Sequence, residues 1–258
     1  MTDIFGLNGK KALVVGGSAG IGEQTVLRLA KCGCDVAIGG RSRDLADAVG
    51  RQVVSMGRQA FTVMGDVTDP ESTARMVAEA DCFFGGIDVL VSIIGASHWS
   101  PYCETTTKFW DDEQDLNLRH FFVLSREVAK VMVKRKTGGV MTCVTSIDGI
   151  QGAPNHSAYG AAKAGLIHLV KSTATELAQH GIRVNGVGPG WIVTPRVHAT
   201  ENSINIIRES GVPMARMGQA DEVADAILFM SSDLSSYVTG QNLMVDGGWS
   251  AASLLFRA

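Results

Sequence analysis

Short apolar runs alternate along this chain with longer stretches in which apolar residues return every three or four positions. The runs predict strands at Lys11–Val15, Asp35–Ile38, Ala60–Met64, Val89–Ile94, Val140–Val144, Arg183–Val187 and Asn242–Val245. The periodic stretches predict helices from Ile21 to near Gly33 and over 42–56, 70–83, 108–134 (broken near Asn117), 156–180 and 220–231. Several runs are continuously apolar and do not alternate, which marks strands covered by helices on both faces. Strand and helix in strict turn predict an α/β fold, a doubly wound parallel sheet flanked by helices, in a single domain over residues 1–258. There is no repeat or linker to divide it. The longest irregular stretch, about 188–219, is expected to be a functional loop near the substrate.

Composition narrows the class. Apolar residues make up 45% of the 258 positions and charged residues 19%, which excludes a disordered chain. The balance of 23 basic against 26 acidic residues, net −3, offers nothing to nucleic acid or to an anionic membrane surface. No apolar run approaches the ~20 residues that span a bilayer, and Met1-Thr2-Asp3 does not open a secretory leader. A cytoplasmic protein is expected. The five cysteines are odd in number and scattered, and Cys32 and Cys34 have no second pair to complete a zinc set, so reduced thiols and no metal are expected.

The first predicted strand runs straight into Gly16-Gly17-Ser18-Ala19-Gly20-Ile21-Gly22, and the first helix opens there. Glycines 16, 20 and 22 let the backbone turn tightly and present N–H groups to a pyrophosphate with no Cβ in the way. A P-loop is excluded, because no Lys-Ser or Lys-Thr closes the run. An NAD site places an acid about 20 residues on, at the end of the second strand. Here Gly40 lies 18 residues beyond Gly22, with no acid beside it, and Asp35 stands at the wrong end of the strand. Arg41 instead offers a guanidinium fork for a 2′-phosphate, so NADP(H) is favoured and NAD(H) remains possible.

Tyr159 and Lys163 are four positions apart in a helical segment, on one face. An ammonium 4–5 Å from a phenol favours the phenolate by about 3–4 kcal/mol before burial opposes it, enough to make tyrosine a general acid/base. Ser146, thirteen residues earlier, lies at the carboxyl end of a strand, where ligands gather in open α/β sheets.

Val15-Gly16-x-x-x-Gly20-Ile21-Gly22, Asn117, Ser146, Tyr159-x-x-x-Lys163 and Pro189-Gly190 together resemble the short-chain dehydrogenase/reductase family, from about residue 6 to 250. The resemblance implies a Rossmann-type sheet and hydride transfer between a nicotinamide and a secondary alcohol or ketone. It implies Tyr159 as acid/base and Lys163 as the group that lowers its pKa and holds the nicotinamide ribose. Ser146 would orient the substrate oxygen, and Asn117 would support a water linking Lys163 to solvent. The cofactor would be held by Gly16, Ser18, Gly20, Ile21, Gly22 and Arg41, by Asp66 and Val67 at the adenine, by Gly95, and by Pro189, Gly190, Ile192 and Thr194 at the nicotinamide end. Asp246-Gly247-Gly248 matches the family's last strand end, and a homo-oligomer, tetramer or dimer, is implied.

Two segments depart from the family pattern. Val15 stands where threonine is usual, and Ser92-Ile93-Ile94-Gly95 replaces Asn-Asn-Ala-Gly. The altered Ser92–Gly95 segment is the main support for an alternative, a non-catalytic NAD(P)-binding sensor or scaffold. Trp99, Trp110 and Trp191, with Ile150, His156, Ile192, Met214 and Met217, suggest an apolar pocket for a hydrophobic or cyclic small-molecule substrate. His98 and Asp148 are possible substrate contacts, although single polar residues on loops usually face water. The basic run Lys130 to Lys136 is more commonly a solvated helix end, but it could meet an acidic acyl carrier as in the ketoacyl reductases of the family it resembles, so a 3-oxoacyl carrier protein is the second substrate class.

Overall fold

The computed structural model describes residues 3–252, apart from the side chain of Ile204. Seven parallel strands form one sheet: β1 (Lys11–Val15), β2 (Asp35–Gly40), β3 (Ala60–Met64), β4 (Val89–Ser92), β5 (Gly139–Val144), β6 (Ile182–Pro189) and β9 (Asn242–Val245). Their order is β3-β2-β1-β4-β5-β6-β9. The chain winds outward from β1 to β3, then crosses back to place β4 beside β1. This reversal opens a crevice at the carboxyl ends of β1 and β4.

Two apolar cores sandwich the sheet, which explains the unbroken apolar runs. In β1, Leu13 and Val15 enter one core while Ala12 and Val14 enter the other; in β4, Leu90 opposes Val89 and Val91. Helices α3 (Pro70–Phe84), α5 (His120–Arg135) and α6 (Ser157–Leu177) close the first core through Met76, Phe121 and Leu166. Helices α1 (Ile21–Lys31), α2 (Arg43–Ser55) and α8 (Ala220–Ser231) close the second through Val26, Val49 and Ile227.

Two expectations are refined. The 108–134 helix is interrupted around Asn117 as expected, but without leaving helical structure: α4 (Thr107–Gln114) passes into α5 through a π-helical turn, Asp115–Arg119. A π turn widens the helix by one residue and so re-aims a side chain, a device common at functional sites. The 188–219 stretch is not irregular throughout. It holds α7 (Glu201–Glu209) and a two-strand ladder of β7 (Ile192–Val193) with β8 (Gly218–Gln219). Thr200 caps α7 reciprocally with Ser203, and Ile207, Val212 and Met217 pack with Trp191 and Trp249 beneath it.

Candidate active site

The glycine turn lies at the head of the crevice. Gly16 and Gly20 adopt positive φ, 86° and 56°. A Cβ on Gly16 would stand 2.9 Å from the Ile93 carbonyl, and one on Gly22 would stand 1.9 Å from the Gly16 carbonyl. The turn therefore packs backbone on backbone, and α1 begins at Ile21 with Gly20 as a cap that has no side chain. Such a bare helix N-terminus fits a pyrophosphate. Ser18 Oγ lies 3.7 Å from the Cβ position of Gly40, at the end of β2 next to exposed Arg41. Asp35, at the opposite end of β2, is paired with Arg58 at 2.8 Å. Asp66 follows β3; hydrogen bonds from the Thr68 hydroxyl and amide hold its carboxyl below the ordinary range, and the Arg41 charge adds to this. Val67 is buried beneath it.

The segment from Pro189 to Thr194 reaches the same turn. Pro195 and Thr194 lie 3.3 and 3.5 Å from the Cβ position of Gly20. Gly190 donates to Val245 O at 3.0 Å and lies too close to Asp246 for a larger residue. Buried Ile192 pairs with Gly218, and Thr194 bridges to Val197.

Next along the crevice come the polar residues of β4, β5 and α6. Lys163 is 1% exposed, and its Nζ donates to Val144 O at 3.0 Å, 5.7 Å from the Tyr159 ring centroid. Ser146, two residues past β5, has its hydroxyl near enough to the Tyr159 phenol to favour the phenolate, and accepts from the Asp148 amide at 3.2 Å. Asn117, fully buried in the π turn, donates to Ala96 O at 3.0 Å and accepts from Ala96 N at 3.2 Å. Gly95 separates Asn117 from Lys163: with φ of 153°, its Cβ would fall 2.9 Å from Asn117 Oδ1 and 3.0 Å from Lys163 Nζ. Those two atoms are therefore within about 6 Å of each other, a gap that one water spans.

The electrostatics differ from the expectation in one respect. Burial pushes the Tyr159 phenol up to about 12, the Ser146 hydrogen bond opposes this, and Asp148 and Glu113 raise it further. The Lys163 ammonium does not bring it down. Burial presses the lysine down to about 8, with Cys143 and Glu113 acting the other way. The i,i+4 spacing brings the pair together, but desolvation and two neighbouring carboxylates outweigh the attraction between them.

Glu113 was not singled out in the sequence. It is 2% exposed, accepts from Asn117 Nδ2 at 3.2 Å and pairs with His98 Nδ1 at 2.5 Å. Its position four residues before Asn117 was the available signal. His98 and Asp148 both have partners: His98 holds Glu113, and Asp148 Oδ2 meets His156 Nδ1 at 2.6 Å. The aromatic set divides. Trp99 lies on His156 at 3.9 Å, Trp191 and Met217 pack under α7, and Trp110, Ile150 and Met214 are largely exposed. Within the basic run, Lys130 pairs with Glu127 and Arg135 with Asp81.

The departures at β1 and β4 form an apolar contact and a buried histidine pair. Val15 lies in the core against which Ile94 packs, and Ser92 Oγ meets His120 Nε2 at 3.3 Å. Burial, with the Lys163 charge adding, pushes the His120 imidazole from 6.5 down to about 3. The unfolded chain takes up a proton that the folded chain refuses, so in this window stability falls as pH falls. In urea unfolding from pH 7 to 4.5, His120 is expected to remove up to about 1.4 kcal/mol per pH unit below 6.5. His120→Gln lacks that component; equal slopes in the two proteins contradict the assignment.

The Enoyl-(Acyl carrier protein) reductase family model matches residues 15–250. The chain is 35% identical to the 3-oxoacyl-(acyl-carrier-protein) reductase of Staphylococcus epidermidis over 240 residues, 93% of this chain and 98% of that protein. A short-chain type dehydrogenase/reductase from Mycobacterium marinum superposes with a TM-score of 0.91 at 32% identity, covering 97% of this chain and 99% of that one. A 7α-hydroxysteroid dehydrogenase, solved with NADH and 7-oxo glycochenodeoxycholic acid, superposes with a TM-score of 0.90 at 32% identity, covering 95% and 96%. Likeness over nearly the whole length, in sequence and in architecture, leads to one assignment: the chain belongs to the short-chain dehydrogenase/reductase family of oxidoreductases.

Proposed function

We propose that the protein transfers a hydride between NADP(H) and a secondary alcohol or ketone of hydrophobic or cyclic character. The observation that carries this is the convergence of Ser146, Tyr159 and Lys163 at the carboxyl edge of the sheet, one strand from the glycine turn. When bound, the nicotinamide supplies or accepts the hydride. Tyr159 gives a proton to the ketone oxygen or takes one from the alcohol, and Ser146 orients that oxygen. Lys163 holds the ribose and adds positive charge beside the phenol, and Asn117 seats the water that leads from Lys163 toward solvent. The phenol at about 12 is the acid form, suited to protonating a developing alkoxide.

Arg41 supports NADP(H): it is exposed at the end of β2, and its charge reaches Asp66. Arg41→Ala is expected to weaken NADPH binding at least about tenfold, roughly 1.4 kcal/mol, and to leave NADH binding unchanged, read by fluorescence titration. Equal losses for both cofactors would retire the 2′-phosphate role and favour NAD(H). The ion pairs of Lys130 and Arg135 support a small-molecule substrate over an acyl carrier protein. A homodimer or homotetramer in the cytoplasm belongs to the same reading. Among the described residues no helix is long and apolar enough to cross a membrane.

The intact Ser146, Tyr159 and Lys163 weigh against a non-catalytic sensor. Oxidation of the reduced cofactor in the presence of a ketone panel tests the choice. Tight cofactor binding with no turnover of any ketone would favour the sensor.

A further inference from the structure

His156 stands at the N-cap of α6, three residues before Tyr159, and the two rings are 5.6 Å apart between centroids. It is 8% exposed. Its Nδ1 meets Asp148 Oδ2 at 2.6 Å, and Asp148 is in turn tied to Ser146 through its backbone amide. An ionised carboxylate only accepts hydrogen bonds, so Nδ1 carries the proton, and in the neutral imidazole Nε2 is left as a lone-pair acceptor. That Nε2 is enclosed and has no hydrogen-bond partner among the described residues. A buried polar atom without a partner is costly, and a phenylalanine would fill the same space without the penalty. The side chain in contact with the imidazole on its outer side is Trp99, 65% exposed on the loop after β4.

We propose that Asp148 and His156 form a hydroxyl-binding subsite beside Tyr159, and that the substrate is a vicinal diol or the corresponding α-hydroxy ketone. This rests on the oxidoreductase reading and narrows it. The reacting oxygen sits with Tyr159 and Ser146, and the hydroxyl on the neighbouring carbon donates to His156 Nε2. The two ring centroids are 5.6 Å apart, within the span of one small molecule. Trp99 moves off the imidazole to admit the ligand and then covers its apolar side. In reduction, hydride adds to the carbonyl carbon and the Tyr159 proton to its oxygen; the neighbouring hydroxyl is bound and unchanged. A lone-pair acceptor selects for a donor, so an ether or a second carbonyl at the same place is not held.

The test is kcat/KM of the wild-type protein with NADPH for 2-hydroxycyclohexanone, cyclohexanone and 2-methoxycyclohexanone. The hydroxy ketone is expected to be favoured at least about thirtyfold over both of the others, as for a site built to bond a hydroxyl. His156→Phe brings that ratio close to one, and Asp148→Asn lowers it by releasing the imidazole. A wild-type ratio near one with plain ketone turnover overturns the subsite and leaves the oxidoreductase reading standing. A ratio unchanged in His156→Phe overturns it as well. Failure to consume any of the three ketones, or the acyclic pair 3-hydroxy-2-butanone and 2-butanone, with NADPH and with NADH alike, overturns the oxidoreductase reading beneath it.

Discussion

Tyr159→Phe is expected to lower kcat by about 10²–10⁴-fold, the range of a positioned general acid/base, while cofactor affinity stays within about twofold. The substitution removes one oxygen and keeps the ring that packs beside His156 and under the Lys163 ammonium. Among the described residues, the one phenol contact given up is that with Ser146, whose hydroxyl stabilises the phenolate. The site then keeps its shape and charge but has no proton to give to the reacting oxygen. Steady-state rates with a ketone and reduced cofactor, alongside a cofactor titration, separate chemistry from binding. Activity within tenfold of wild type would remove Tyr159 from the acid/base role.

Gly22→Ala is expected to act on binding. The new methyl would lie 1.9 Å from the Gly16 carbonyl oxygen and 2.9 Å from the Gly17 Cα, both backbone atoms, so no rotamer change relieves the overlap. The glycine turn must move away from α1, and with it the bare helix N-terminus proposed to hold the pyrophosphate. Overpacking of this kind costs about 1–3 kcal/mol, or a Tm lower by roughly 3–10 °C. Cofactor affinity should fall more than about a hundredfold. Gly152 is the control, since its Cβ would meet nothing within 4 Å, and Gly152→Ala should change neither Tm nor affinity. Unaltered cofactor binding in Gly22→Ala would place the pyrophosphate elsewhere.

The strands were legible because a parallel sheet buried on both faces leaves unbroken apolar runs, as Ala12, Leu13, Val14 and Val15 show by entering two cores in alternation. The α8 bounds agree with the expectation to the residue, because its acidic first turn and apolar stripe are both local. Helix α7 was missed because its cap is Thr200 with Ser203, without the Glu or Gln that signals a capping box in sequence. Glu113 was missed for a different reason. A carboxylate on a helix reads as solvated, and only the tertiary partners Asn117 and His98 account for its burial. The phenol pKa was misjudged on similar grounds. Spacing reveals which charge is near, whereas burial and the carboxylates of Asp148 and Glu113 come from distant parts of the chain. The motifs therefore picked out residues that the fold brings together, Tyr159 and Lys163 among them, but not the electrostatic balance around them.

The measurement closest to the central claim follows the hydride itself. The wild-type protein is incubated with reduced NADP deuterated at the transferable C4 position, once for each face, and with a hydroxy ketone. One deuteron is expected on the new carbinol carbon from one of the two labelled cofactors, appearing at least about a hundredfold more slowly when Tyr159→Phe replaces the wild type. Consumption of the ketone with no deuterium in the product from either cofactor would contradict it.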